Sequence, residues 1–236
     1  MLTRQAWMPW AVLGRLRQRQ AGRHAAPREE LIRRFAAGQS FLDAGAMWSV
    51  HGRIAFIAEE CGATAVTAMD VMAPTPEYEA EHQRRESTVR FIRGDIHDQA
   101  TVEEVGPHDV VWCSGLLYHA PNPMLTLERL RALTTQTLIL ATETIPEVPG
   151  MSQACVFLPG LSAPDRALHA AARPHGLAHG IHTAFEPEQG YSAWWWGLTR
   201  SAVLGMLDAA GFTVGEQLGG PLHTTIIASA RTPADA

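Results

Sequence analysis

The stretch Ser40 to Gly52, SFLDAGAMWSVHG, constrains the fold of this chain more than any other. A short apolar run, Phe41-Leu42, turns polar at Asp43, and Gly45 follows two positions on. A helical pattern then begins near Ser49 and carries its apolar residues at Ile54, Ile57, Ala58 and Cys61. The order is strand, tight turn, helix, and the next run, Val66-Thr67-Ala68-Met69-Asp70-Val71, is a second strand ending in an acid. An acid followed by a glycine at a strand's carboxyl end suits a nucleoside ligand. The glycine lets the backbone approach closely, the helix N-terminus offers free N–H groups, and Asp70 can accept both ribose hydroxyls. The dinucleotide fingerprint G-x-G-x-x-G is absent, because Gly45 is followed by Ala46, Met47 and Trp48. A P-loop is excluded because it needs a lysine, and all 19 basic residues are arginine. An ordinary strand-to-helix turn with no ligand would show the same residues.

At 236 residues the expectation is one domain with room for a small lid, and 46% hydrophobic content supports a sizeable core. No apolar run reaches the length of a membrane span and no cleavage site is clear near the N-terminus, so a cytoplasmic protein is expected. Cys61, Cys113 and Cys155 are isolated, neither a disulfide framework nor a Cys-x-x-Cys knuckle. The net charge of −5 gives no pull toward nucleic acid. The absence of lysine removes any Schiff-base mechanism. His169, His175, His179 and His182, with Glu186 and Glu188, match no metal-ligand spacing, so no metal is expected.

Residues 5 to 19, with Trp7, Trp10, Leu13 and Leu16 on one side, and residues 28 to 37 suggest two helices. They pack on the sheet edge or form a lid. Thr75-Pro76-Glu77 is a helix start (cap, proline, acid), and that helix runs to about Glu86. Val89 to Ile92 reads as a third strand running into Gly94-Asp95-Ile96, and Asp109 to Cys113 as a fourth, running into Ser114 and on to Tyr118-His119. Asn122-Pro123 starts a helix through Leu125, Leu127, Leu130 and Leu133, and Thr137 to Glu143 is a fifth strand. Residues 146 to 193 break the rhythm with no long periodic helix, and so long an irregular segment is usually functional. Tyr191-Ser192-Ala193-Trp194-Trp195-Trp196 follows; three adjacent tryptophans cannot all face one way, so some line a pocket or interface while others pack in the core. Thr199 caps a helix stopped by Gly211, and two strands, Phe212 to Gln217 and His223 to Ala230, end the chain. Five strands alternating with helices and a closing hairpin predict a three-layer α/β fold.

The Asp43-x-Gly45 turn with Asp70 resembles the class I S-adenosylmethionine-dependent methyltransferases, whose first strand ends in D-x-G-x-G-x-G. This chain has Met47 and Ser49 where that family usually has glycines, and Gly52 stands in for the last one on a loop three residues longer. Gly115-Leu116-Leu117-Tyr118-His119 resembles the G-V-L-Y-H segment of transfer-RNA wobble-uridine carboxymethyltransferases and of many small-molecule methyltransferases, with Leu116 for valine. The resemblance covers residues 38 to 145 well and 194 to 231 loosely. It implies a Rossmann-like sheet of seven strands, order 3-2-1-4-5-7-6 with the last strand antiparallel, and S-adenosylmethionine as cofactor. It places Asp43, Gly45, Ala46, Asp70, Val71, Asp95, Ile96, Cys113 and Ser114 around that cofactor, with Asp95 on the adenine amino group. Residues 1–37 become N-terminal helices or a lid and 38–236 the methyltransferase domain. Within it 146–193 shapes an acceptor pocket lined by Tyr191, Trp194 and Trp195. His119, just past the fourth strand, is a candidate base oriented by Tyr118, against a structural role bonding backbone in the turn before Pro121. Methyl transfer to a small molecule is the reading this supports. Transfer-RNA modification, non-methyl chemistry such as intramolecular cyclisation, and a non-catalytic binding module remain as alternatives.

Overall fold

Strands that carry apolar side chains on both faces need cover on both, and the central strands here have it. The computed structural model describes residues 28–171, 181, 184–220 and 222–232. The helix expected over residues 5 to 19 and the histidines His175, His179 and His182 lie outside the described residues. In chain order the first five strands are β1 (Ser40–Ala44), β2 (Ala65–Asp70), β3 (Arg90–Arg93), β4 (His108–Ser114) and β5 (Thr134–Glu143). Two short ones follow, β6 (Cys155–Phe157) and β7 (Trp196–Leu198), then β8 (Phe212–Gly220) and β9 (His223–Ala230). Seven of them form one sheet in the order β3-β2-β1-β4-β5-β9-β8, with β9 antiparallel between β5 and β8. This is the expected 3-2-1-4-5-7-6 arrangement, with β6 and β7 set apart as a two-stranded sheet of their own.

The helices are α1 (Arg28–Ala36), α2 (Arg53–Glu60), α3 (Pro76–Arg85), α4 (Gln99–Val105), α5 (Pro123–Leu133), α6 (Ala163–Ala171) and α7 (Arg200–Ala209). Alternation along each strand divides the core. Phe41, Val110, Trp112 and Ile139 pack with Leu31 and Ile32 of α1 and Phe56 of α2 on one face. On the other, Leu42, Val111, Leu138 and Leu140 pack with Leu127 and Leu130 of α5 and Val203 and Leu207 of α7.

Four local departures have physical causes. Helix α2 begins at Arg53 rather than near Ser49, because Ser49 (φ 60) and His51 (φ 47) are left-handed and cannot continue an α-helix. Helix α4, beyond the elements read from the sequence, is set by Asp98, which caps it by accepting from the Ala100 N–H at 3.2 Å, and by Gly106, which ends it. Strand β5 starts at Thr134, directly after α5, with the Thr134 hydroxyl donating to the Leu130 carbonyl at 2.6 Å. Finally, the segment 146–193 is less irregular than its composition suggests. It contributes β6, which pairs with β7, and α6, whose start is held by Ser162 and Asp165. Leu158, Ala170, Ile181 and Trp194 close with Tyr118 into a small core separate from the two faces of the sheet.

Gly52 has a structural duty of its own. It is left-handed (φ 73), and a Cβ there would come within 2.3 Å of the buried Tyr78 ring. Gly52→Ala therefore combines a strained backbone with overpacking, and chemical denaturation should show a loss of about 2–4 kcal/mol.

Candidate functional site

The carboxyl ends of β1, β2, β3 and β4 meet along one edge of the sheet. Parallel register brings Asp43 beside Ala68 and Trp112, and Asp70 beside Arg93. Asp43 is 2% exposed, and its pKa is raised to about 7, first by burial and then by the charge of Asp70, against a backbone hydrogen bond from Ala55. Its Oδ2 is buried and has no hydrogen-bond partner among the described residues. Asp70 accepts the Met47 N–H at 2.7 Å and the Met72 N–H at 2.9 Å, which ties the turn after β1 to the end of β2. Burial raises its pKa in spite of those bonds.

The N–H groups of Gly45 and Ala46 both donate to the Met69 carbonyl, at 2.9 and 3.2 Å, so they complete the sheet instead of standing open. Gly45 is called for by its backbone (φ 88), since nothing lies closer than 3.8 Å to where its Cβ would be. The loop beyond it carries the left-handed Ser49 and His51, and the His51 Nδ1 lies 2.9 Å from the Thr75 hydroxyl that caps α3. Non-glycine residues in that region are strained and persist where their surroundings enforce them. Trp48, Val71 and Met72 present apolar surface beside this loop.

After β3, Asp95 accepts two bonds on Oδ1, from the His97 N–H at 2.8 Å and from the Tyr191 hydroxyl at 2.6 Å. Burial and the carboxylate raise the Tyr191 pKa, so the phenol stays protonated. Ile96 is buried in the core, and its side chain is not at the edge. After β4, the Cys113 thiol faces the core, and burial pushes its pKa up to about 12, so only its backbone lies at the site. Ser114 is half-buried at the strand end.

Leu117–His119 form one turn of 3-10 helix. His119 Nδ1 lies 2.8 Å from the Ala193 carbonyl, so an Nδ1–H donor there makes Nε2 the basic nitrogen of the neutral ring. The ring thus meets the backbone of residue 193, while the His119 N–H donates to the Leu116 carbonyl at 3.0 Å within its own turn. Trp194 is 3% exposed; its ring centroid is 4.1 Å from Tyr118 and 5.6 Å from His119, so it backs that pair as a wall. Trp195 donates Nε1–H to the Gly190 carbonyl at 3.0 Å and meets Phe185 edge-on at 4.6 Å. The side chains of the three acceptor-side candidates therefore separate: the Trp194 ring lies with Tyr118 and His119, the Trp195 ring with Phe185 although the Trp195 backbone N–H donates to the Tyr118 carbonyl at 3.0 Å, and the Tyr191 hydroxyl at Asp95.

Two more titratable groups escaped the sequence reading. Glu143, buried at the end of β5, lies 3.1 Å from His223 Nδ1 at the start of β9. The signal was available, since Glu143 ends a strand as Asp70 does. Among the described residues no group of three or more His, Cys, Asp or Glu side chains could hold a metal ion.

The Asp43 environment makes a pH prediction. Its pKa is raised on folding, so between about pH 4 and 7 the native state holds a proton that the unfolded state has lost, and stability falls as pH rises through that window. His97 and His108, whose pKa values burial lowers, pull the other way. The comparison with Asp43→Asn isolates the carboxylate. Urea midpoints should show the wild type gaining on the variant as pH falls from 7 to 4, by at most about 1.4 kcal/mol per pH unit. A constant difference across that range would refute it.

No protein-family model matches the sequence, and no curated protein matches it. Solved structures match in shape. The N-terminal domain of EvdMO1, solved with SAH bound, aligns with a TM-score of 0.60 at 18% identity, over 89% of this chain and 84% of that one. The Burkholderia thailandensis 1,6-didemethyltoxoflavin-N1-methyltransferase, solved with 1,6-didemethyltoxoflavin and S-adenosylhomocysteine, aligns at 0.57 and 18% identity, over 87% and 77%. Magnesium protoporphyrin IX methyltransferase (ChlM) from Synechocystis PCC 6803 aligns at 0.53 and 15%, over 86% and 81%. At such identities the likeness is one of fold, and the fold is that of the class I methyltransferases. No helix among the described residues is long and apolar enough to cross a membrane.

Proposed function

We propose that this chain binds S-adenosylmethionine and transfers its methyl group to a small-molecule acceptor. One observation carries the proposal: carboxylates lie at or just past the carboxyl ends of three adjacent strands of a class I methyltransferase sheet, and the innermost, Asp43, keeps a buried oxygen with no partner among the described residues. A buried acceptor of that kind calls for a donor. In this reading Asp70 holds the ribose hydroxyls, Asp95 accepts from the adenine amine beside Ile96, and Val71 flanks the nucleoside. Asp43, Gly45, Ala46 and the backbone at Cys113 and Ser114 surround the remainder. When bound, the cofactor supplies a methyl already activated on a sulfonium, so the chain's task is to align an acceptor and exclude water. His119 Nε2 would take the acceptor's proton, with the ring held through Nδ1 by the Ala193 carbonyl and backed by Tyr118 and Trp194.

The segment 146–193 acts here as the acceptor-side wall, a reading supported by the small core that its Leu158, Ala170 and Ile181 form with Tyr118 and Trp194. The net charge of −5 favours a small acceptor over RNA. Calorimetry with S-adenosylmethionine and S-adenosylhomocysteine tests the reading; folded protein that binds neither would falsify it. Mass spectrometry after incubation with S-adenosylmethionine and a metabolite pool then identifies the chemistry. S-adenosylhomocysteine marks methyl transfer, methylthioadenosine marks cyclisation or cleavage, and binding without turnover marks a binding module.

A further inference from the structure

Tyr191 belongs to the segment that covers the strand ends, yet its hydroxyl is committed to Asp95 at 2.6 Å. We propose that Tyr191 is a positioning residue for the adenine end of the cofactor. By holding Asp95 Oδ1 it leaves Oδ2 to accept an exocyclic amine, and so sets the preference for a 6-amino over a 6-oxo purine. The inference rests on the adenosine-cofactor reading above, and it moves Tyr191 from the acceptor side to the cofactor side.

The carboxylate's hydrogen bonds divide unevenly. Oδ1 accepts both the His97 N–H at 2.8 Å and the Tyr191 hydroxyl, which uses its two in-plane lone pairs. No described residue donates to Oδ2. The last torsion of an aspartate side chain is soft and nearly two-fold, so one backbone donor alone holds the carboxylate loosely. A second, charge-assisted donor on the same oxygen removes that freedom. The phenol is suited to the role because burial and the adjacent carboxylate keep it protonated. A carboxylate oxygen accepts from an adenine amine and repels a 6-oxo group, so fixing Oδ2 is a device of selectivity as much as of affinity.

Tyr191 is itself held in place. Gly190 is left-handed (φ 51), and its carbonyl accepts the Trp195 indole N–H at 3.0 Å and the Ala193 N–H at 3.3 Å, which shapes the turn that carries Tyr191. On the other side the His97 ring lies 5.8 Å from the Tyr191 ring, and its Nε2 is 2.7 Å from the Thr126 hydroxyl of α5. The segment covering the strand ends and the body of the sheet therefore both contribute to where this hydroxyl sits.

The test is calorimetric titration of full-length wild type and Tyr191→Phe with S-adenosylhomocysteine and with its inosyl analogue, in which oxygen replaces the 6-amino group. The wild type should prefer the adenosyl compound. In Tyr191→Phe adenosyl affinity should fall about 5- to 20-fold while inosyl affinity changes less than about twofold, so the preference narrows. Asp95→Asn adds an amide donor and should shift the preference toward the inosyl compound. Combining it with Tyr191→Phe should give no further loss, since the tyrosine acts through the carboxylate. Equal losses for both ligands in Tyr191→Phe, unchanged affinities, or additive losses in the double variant would overturn the proposal. Wild type that binds neither compound would overturn the cofactor reading itself, and this inference with it.

Discussion

Replacing Asp70 with alanine should weaken S-adenosylhomocysteine binding by at least about 100-fold, the largest affinity change expected of any single substitution here. Two independent losses combine. In the proposed site the carboxylate accepts the two ribose hydroxyls, and hydrogen bonds to a charged group are worth roughly 1.5–3 kcal/mol each. The same carboxylate also holds the Met47 N–H at 2.7 Å and the Met72 N–H at 2.9 Å, so its removal unties the turn after β1 from the end of β2. Stability should drop as well. An orphaned buried N–H costs about 1–3 kcal/mol, but the change also removes a charge that raises the Asp43 pKa, which offsets part of it. Asp70→Asn retains an acceptor and should fall between. Calorimetry alongside urea denaturation checks both halves; a variant within threefold of wild-type affinity would remove Asp70 from the ribose.

The second large effect is on turnover. With an acceptor identified by metabolite screening, His119→Ala should lower methyl transfer by roughly 10²–10⁴-fold with cofactor affinity nearly intact. The acid limb of the pH–rate profile should vanish, since that limb reports protonation of the base. The structure adds a control that separates chemistry from scaffolding. His119 Nδ1 meets the Ala193 carbonyl at 2.8 Å, so alanine also releases a tie to the segment covering the strand ends. Asparagine can still donate there but has no basic nitrogen. If His119 is the base, His119→Asn should be about as slow as His119→Ala; recovery of near wild-type turnover in His119→Asn would reduce His119 to an anchor.

How much of this was legible in the residues depends on the range of the interaction that decides each feature. The strand order is what the family resemblance implies, whereas the alternation of strands and helices and the strand-end positions of Asp43, Asp70 and Asp95 are readable from the chain. They follow from periodicity and from acids and glycines at fixed offsets, which are local. The Thr75 and Asn122 caps were readable for the same reason, because a cap bonds an N–H three residues away. Helix α4 carried the same kind of signal, with Asp98 as its cap and Thr101, Val102 and Val105 as its buried face, and was passed over.

Tertiary structure decided what each polar atom does. The N–H groups of Gly45 and Ala46 are given to the Met69 carbonyl by pairing with β2, a contact that residues 45 and 46 alone do not announce. Gly52 appears to be a ligand glycine, and its close neighbour is the ring of Tyr78, 26 residues further along the chain. His119 finds its partner 74 residues away and Tyr191 finds Asp95 across 96. Contacts of that separation depend on how the segment between β5 and β7 returns to Tyr118 and Asp95. Its Pro, Gly, His and Ala composition shows no period from which that path could be read. The sequence by itself determined the strands, the helices between them and the acids at the strand ends. Only the folded chain decided which donors those acids hold and which oxygens remain for a ligand, because hydrogen bonding depends on position in space and the chain alone specifies position only over a few residues.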